Sequence, residues 1–344
     1  MPNPTTSLQF CEWERRNVRL EQPAYRVLVF EPKGMYPSGT RFVPNGFFHA
    51  DEKLVFSVVL SESWHTLDPD APFSEFDWAS PQELRLLTSL VLCERAEGAY
   101  VRLYPIVRFG PVIDVDRIDL GAAETVQEVK ALLLRHVTES GPFGAMSSLS
   151  CCKGASYDLV DAASYSFADL LSVWTRVVPP NHVLMRGVYA LIKSDMLSSH
   201  YEFSEEAVTS LYIALDASFS MISRRLAGEG VKQPSAHDAA MWVHAHFDAP
   251  YGLPPPGATD RYFGEFYEQR VMTLHPASRR GDVPYSPSMH DDIPHLRRAL
   301  RQIFTYLVLG RHDQGYLEAV SEFRRVKGLG MPPLEPPPKN LCKN

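Results

Sequence analysis

The sequence predicts a chain in two parts, an α+β domain followed by an all-α helical bundle. Short runs rich in β-branched and aromatic residues are concentrated in the first 150 residues. A stretch rich in Ser, Ala, Gly and Cys then spans residues 144–164, and beyond it apolar residues recur at helical spacing. A chain of 344 residues is long enough for two domains.

The first part, residues 1–150, combines predicted strands with two predicted helices. Ser80 and Pro81 indicate the start of a helix, because serine is a good N-cap and proline fits the first helical position. A second helix is expected from Thr125 to Val137. The role of this domain is open, and we expect it to sense a signal or bind an unknown partner. Four β-rich runs are predicted strands: Tyr25–Glu31, Leu54–Leu60, Tyr100–Val107 and Val112–Leu120.

The second part reads as helices joined by short connections. Its clearest helix begins at Ser204, has acidic residues in its first turn, where the helix dipole favours them, and ends near Gly228. We interpret residues 165–312 as a bundle, 313–330 as a short C-terminal helix and 331–344 as a Pro-rich disordered tail. The other predicted helices are Phe167–Val178, His182–Ser198, His237–Phe247, Asp260–Leu274, Asp292–Leu309 and Gln314–Val326.

The overall charge argues against broad, nonspecific nucleic-acid binding. The net charge is −7, from 34 basic and 41 acidic residues, whereas such binding needs a basic surface. A local basic groove stays open as an interpretation, and so does a solvated helix face for each basic cluster. The clusters are Arg224 with Arg225, Arg279 with Arg280, and Arg297 with Arg298 and Arg301.

Cysteine usage and hydropathy predict a cytoplasmic protein. The five cysteines are odd in number and have no zinc-ligand spacing, so we expect reduced thiols and no metal or other cofactor. The side chains of the adjacent Cys151 and Cys152 are expected to diverge. The N-terminus does not resemble a signal peptide, and no apolar run reaches the ~18 residues of a membrane span.

One stretch carries side chains suited to phosphodiester chemistry. Arg270 is a permanent cation whose donors suit phosphate, and His275 is the kind of side chain that moves protons near neutral pH. On an ideal helix the two would lie roughly 140° apart. Because Pro276 disfavours helical geometry at His275, we expect this histidine just past the last turn, able to swing towards Arg270 or a partner subunit.

This arrangement resembles the HEPN superfamily, whose helical bundles carry an arginine followed four to six residues later by a histidine. An aromatic residue often precedes the arginine by three positions, and Tyr267 fits. The resemblance covers roughly residues 165–312. The chain departs from the family pattern at Val271, where active members usually have a small polar residue, and at Pro276, where glycine is frequent.

The resemblance implies a metal-independent endoribonuclease, or an RNA-binding module, in a defence, toxin or stress response. Arg270 would hold the phosphate of single-stranded RNA and His275 would shuttle the proton, with a homodimer formed through the helical domain. Glu268 or Asp260 would orient either one. The alternative is a noncatalytic dimerising or ligand-sensing protein, in which Arg270 forms a structural salt bridge and His275 caps the helix end.

Two further groups of polar residues are candidate sites. The group around His237 and His244 lacks the i, i+4 spacing of a metal site, so surface or half-buried histidines are favoured there. The same group contains His246 and Asp248 and is a candidate lining of the Arg270 cleft. In the loop after the motif, His290 is a candidate helper, although capping of the last helix is the favoured role of that loop.

Overall fold

A computed structural model describes residues 10–11, 24–61, 79–95, 101–106, 112–114, 118–139, 147–161, 165, 167–255, 270 and 292–330. The chain divides into two compact units. The first comprises Met1–Leu87 and Ala99–Tyr165, and the second comprises Thr88–Gly98 and Ser166–Asn344. An antiparallel sheet followed by a mostly helical region confirms the coarse fold class that the sequence predicts.

The first unit contains a six-stranded sheet with the order β1-β7-β2-β6-β5-β4, in which all paired strands are antiparallel. Strands β3 and β8 pair in parallel as a separate two-stranded ladder. The strands are β1 Phe10–Cys11, β2 Ala24–Val29, β3 Met35–Pro37, β4 Gly39–Val43, β5 Gly46–Ala50, β6 Val55–Ser61, β7 Val112–Asp114 and β8 Asp158–Val160.

The hairpin from β4 to β5 is absent from the sequence-based prediction. Val43 pairs with Gly46 across a two-residue loop, and Asn45 in that loop has a φ of 61°, a conformation that asparagine tolerates better than most residues. A Cβ at Gly46 would lie 2.8 Å from the backbone oxygen of Val58. The close approach of β5 to β6 therefore requires glycine at this position.

Helix α2, Ala123–Glu139, provides the helical side of the core of the first unit. Its buried residues Val126, Val129 and Leu133 belong to the same apolar cluster as Val27 and Phe56 from the sheet. The predicted Thr125–Val137 helix is thus confirmed, with two further residues at each end. The predicted strand at 100–107 is present among the described residues only as isolated bridges.

Helix α1, Pro81–Leu92, begins where Ser80 and Pro81 predict. The Ser80 hydroxyl accepts the backbone N–H of Glu83 at 3.2 Å, and a Glu83 carboxylate oxygen accepts the N–H of Ser80 at 2.6 Å, which is a capping box. The same carboxylate lies 2.8 Å from Nε of Arg26 on β2. Both side chains are almost fully buried, so this charge pair is part of the core.

The second unit contains the remaining six α-helices of the described residues. Helix α5 is the longest described helix and packs against α4, α6 and α7, while α4 and α3 also contact α7. The expected starts of α4, α5 and α8 and the expected end of α8 are confirmed. The helices are α3 Leu170–Arg176, α4 His182–Leu197, α5 Ser204–Gly228, α6 Ala236–Val243, α7 Asp292–Leu309 and α8 Gln314–Val326.

Helices α4, α5 and α7 approach one another closely at Gly187. A Cβ at this residue would lie 2.5 Å from the ring of Phe304 on α7 and 3.0 Å from the Cβ of Ala217 on α5. Real Cβ atoms essentially never come as close as 2.5 Å to another heavy atom, and interiors packed at crystal density have little room to yield. The backbone of α5 around Ala217 is therefore held firmly by its neighbours.

A buried ionic network also joins the elements of this unit. Arg297 on α7 pairs with Glu94 and with Asp195 on α4, and its Nη2 is 3.0 Å from an Asp195 carboxylate oxygen. Arg301 pairs with Glu94 and with Asp313, the N-cap of α8. The five residues are at most 6% exposed.

The network corrects one expectation from the sequence. Arg297 and Arg301 form neither a basic groove nor a solvated helix face, because both residues are 1% exposed. Because the two arginines are four residues apart, they lie on the same face of α7. The spacing alone suggests an exposed basic face, but both side chains bind buried acidic partners instead. Arg298, the third arginine of this cluster, is exposed.

None of the helices in the described part of the chain has both the length and the apolar character needed to cross a bilayer. The predicted tail at 331–344 lies outside the described residues, as do Arg279, Arg280 and most of the predicted helix from Asp260 to Leu274.

Candidate phosphate-binding site

Asp216 lies on the outer face of α5, directly before the tightly packed Ala217. Its neighbours Leu215 and Ala217 are buried, whereas the Asp216 side chain is 55% exposed. The alternation follows from helical geometry, which turns successive residues by about 100°. A firmly held backbone thus presents a carboxylate at the surface of the bundle.

Arg270 is helical and binds this carboxylate. Its Nη1 donates to Asp216 Oδ1 at 2.9 Å and lies 2.8 Å from Oδ2. The Arg270 side chain is 32% exposed. The ion pair therefore joins residues 54 positions apart at a surface that solvent reaches.

The electrostatics of Asp216 reflect two opposing influences. Partial burial raises the pKa of its carboxyl above the ordinary value, and the charge of Arg270 acts in the lowering direction. Burial has the larger effect, so the local surroundings penalise negative charge on Asp216. An exposed ion pair of this kind contributes little to stability, typically ~0–1 kcal/mol, and its partners can be exchanged for others at small cost.

The Arg270 guanidinium can bind anions other than the Asp216 carboxylate. A guanidinium group binds phosphate with the same planar donors that it presents to a carboxylate. Arg270 at the surface can therefore accept a phosphodiester in place of Asp216, or beside it. By contrast, the buried Arg297 and Arg301 have their donors committed within the core.

Sequence reasoning singles out Arg270 but misses Asp216. Glu268 and Asp260, the acids it names as orienting residues, lie outside the described residues, as do His275, His290 and Tyr267. The distance between Arg270 and His275 thus stays a prediction. The only signal for Asp216 in the sequence is a carboxylate among buried apolar positions of α5, which is common on amphipathic helices.

The histidines after α6 are bound to backbone carbonyls. Helix α6 gives way to a π-helical turn at His244–Asp248, a feature that often marks functional sites. In this turn His244 Nε2 lies 3.1 Å from the Leu253 carbonyl, and His246 Nδ1 lies 2.8 Å from the Trp242 carbonyl. His237 is exposed on α6. Within the described residues, no three His, Cys, Asp or Glu side chains assemble into a metal site.

A ring cluster beside this turn surrounds His312, which sequence reasoning does not single out. The His312 imidazole stacks on Tyr316 at a centroid distance of 3.9 Å and lies 4.6 Å from the Tyr306 ring. Burial lowers the pKa of His312 to about 4, and the nearby His246 acts in the same direction. His312 is therefore neutral at physiological pH and serves as a packing residue there.

Comparisons with known proteins give no relatives. No protein-family model matches this chain, and neither a curated protein nor a solved structure matches it.

Proposed function

We propose that this chain is a HEPN-like protein that binds single-stranded RNA at Arg270 and cuts it with His275, acting as a homodimer in a defence, toxin or stress response. The observation that carries the proposal is the placement of Arg270. Its side chain is about one-third exposed, and it is paired with an Asp216 side chain that is 55% exposed. A phosphate group of RNA can reach such a cation. It cannot reach the buried arginines of the bundle.

The helical surroundings of Arg270 support the same proposal. Arg270 is helical and contacts α5, and α5 packs against α7. In bundles of the HEPN superfamily that this chain resembles, a long amphipathic helix precedes the motif and another helix follows it. Helices α5 and α7 occupy those positions in the chain order.

The proposed chemistry needs only the two side chains and the RNA itself. The ribose 2′-oxygen attacks the adjacent phosphorus while His275 accepts the 2′-hydroxyl proton. The bond from phosphorus to the 5′-oxygen breaks, and that oxygen takes up a proton from an imidazolium. Arg270 stabilises the charge that develops on the phosphoryl oxygens. The products are a 2′,3′-cyclic phosphate and a 5′-hydroxyl end.

The Arg270–Asp216 ion pair also favours a second candidate, a noncatalytic dimerising or ligand-sensing protein. In that alternative Arg270 is a structural residue of the bundle, and the ion pair it requires is present. The two candidates differ in what Arg270 does when RNA is added. Only the ribonuclease requires the guanidinium to bind an RNA phosphate, either in place of the Asp216 carboxylate or together with it.

RNA cleavage in the presence of EDTA separates the two candidates. We expect the purified protein to cut labelled single-stranded RNA, leaving 2′,3′-cyclic phosphate ends. Arg270→Ala and His275→Ala should each lower the rate by about two orders of magnitude or more, a size typical for the loss of a charge-stabilising donor or a proton-transfer group.

The matched control for this assay is Arg325→Ala. Arg325 is also a surface arginine paired with a carboxylate, that of Glu322 on α8, and its replacement should leave cleavage unchanged. Cutting that persists in both the Arg270 and the His275 variants would assign the activity to a contaminant and remove the catalytic proposal. Absence of cleavage with retained dimerisation would favour the noncatalytic candidate.

A further inference from the structure

The two adjacent cysteines in the first unit have their sulfur atoms in contact. Cys151 and Cys152 end a 3-10 helix that begins at Ser147, and their Sγ atoms are 3.8 Å apart. Cys151 is exposed, whereas Cys152 is 4% exposed. The expectation that these side chains diverge is therefore wrong, because the tight 3-10 turn directs both thiols to one place.

The separation of the sulfur atoms suits a bridging ion. In tetrahedral thiolate sites each metal–sulfur bond is about 2.3 Å long, and two such bonds at a tetrahedral angle place the sulfur atoms roughly 3.8 Å apart. The observed distance between the two Sγ atoms matches this spacing.

A disulfide between the same residues would fit less well. Disulfide bonds are about 2.05 Å long and normally join residues with Cα atoms at least about 4.4 Å apart. Consecutive Cα atoms are only about 3.8 Å apart across a trans peptide bond. Closure of this pair would hence strain the backbone, whereas a bridging ion would not.

The surroundings of the pair are built from buried polar groups of the same unit. The Tyr157 hydroxyl donates to the Phe30 carbonyl at 2.8 Å, and Cys152 Sγ lies 3.8 Å from that carbonyl oxygen. Tyr157 is 3% exposed. Burial raises the pKa of both thiols, that of Cys152 to about 12, so both are protonated at neutral pH.

We propose that Cys151 and Cys152 form a bidentate dithiolate site for a soft d10 cation of the zinc and cadmium class. The ion binds both Sγ atoms and displaces their protons. Because no third metal-binding side chain joins the pair among the described residues, water or a small thiol completes the coordination. The exposed Cys151 provides the entry side, and the buried Cys152 anchors the ion.

Titration of the full-length protein with Cd²⁺ tests this site through the ultraviolet charge-transfer band of cadmium thiolates. We expect about one ion per chain at the pair, with about two protons released per ion and tighter binding as the pH rises. Cys151→Ser should weaken binding by about tenfold or more, since one thiolate is lost. Cys151 is exposed, so this variant leaves the core intact.

Cys342→Ser is the matched control and should keep the band of the unchanged protein. Cys152→Ala serves as a second variant, with circular dichroism to verify that the chain is folded. A Cys151→Ser protein that binds Cd²⁺ as tightly as the unchanged chain would overturn the proposal. So would a band that disappears only when Cys342 is replaced.

Discussion

Replacing Arg297 by methionine is expected to lower the free energy of unfolding by about 3–5 kcal/mol, the usual cost of removing one partner of a buried ion pair. The methionine fills much of the aliphatic volume but removes the Arg297 guanidinium from Asp195 and Glu94, of which Glu94 keeps its ion pair with Arg301. Asp195 is 1% exposed and Glu94 3%. The Asp195 carboxylate would therefore lose its ion pair with Arg297 in a medium that penalises charge.

Denaturation in urea, followed by far-ultraviolet circular dichroism, measures this loss. Arg298→Met is the matched control, because Arg298 adjoins Arg297 on α7 and is exposed. Its replacement should change the unfolding free energy by less than about 0.5 kcal/mol. Equal and small effects of the two replacements would contradict the account of a buried network that holds the bundle together.

The second large effect is a loss of stability at acid pH that depends on His312. Its pKa is about 4 in the folded protein and 6.5 as the ordinary value. Since the pKa is depressed by folding, the contribution is fully present above pH 6.5 and is lost as the pH falls towards 4. The difference of about 2.5 pKa units between these values corresponds to at most roughly 3.5 kcal/mol.

His312→Phe should remove this pH dependence while keeping a ring against Tyr316. The His312 imidazole also hydrogen-bonds the backbone carbonyl of His246. In the variant, the Tyr316 hydroxyl still donates to that oxygen at 3.1 Å, so it stays satisfied. The measurement is the unfolding free energy of the variant and the unchanged protein at pH 7.5 and pH 5. A pH dependence that is the same in both proteins would contradict the assignment, and the exposed His237 serves as the control position.

The regular elements could be predicted because their signals are local. Helix α8 has the predicted bounds, since Asp313 caps its N-terminus and apolar residues follow at helical spacing. Ser80 and Pro81 likewise mark the start of α1. The π-helical turn after α6 was missed, because its hydrogen bonds change while the apolar pattern continues through Phe247.

The parts that could not be predicted depend on residues far apart in the chain. Arg297 pairs with Glu94, 203 positions away, and no local pattern links the two. Asp216 and Arg270 are 54 positions apart. Cys151 and Cys152 are adjacent, yet their contact depends on the 3-10 conformation of Ser147–Cys152, which composition alone does not indicate.

The relation between the scaffold and the proposed site follows from these long-range contacts. Helix α5 carries Asp216 at the surface and Ala217 at the tight contact with Gly187 and Phe304. The buried network holds α7 to α4, and both helices pack against α5. Such a packed frame holds the backbone of Asp216 in position, although the surface ion pair that Asp216 forms is itself weak and exchangeable.

The salt dependence of RNA binding tests the central claim, that the Arg270 guanidinium exchanges Asp216 for an RNA phosphate. A single-stranded RNA with 2′-O-methyl riboses lacks the attacking hydroxyl and stays intact during the measurement. We expect Arg270→Ala to reduce the slope of log affinity against log salt concentration by about 0.7, the share of one phosphate contact on a single strand. Asp216→Asn should bind this RNA more tightly, because a competing negative charge is gone, and Arg325→Ala should bind it unchanged. Equal affinities and slopes for the unchanged protein and Arg270→Ala would contradict the claim and leave Arg270 as a structural residue of the bundle.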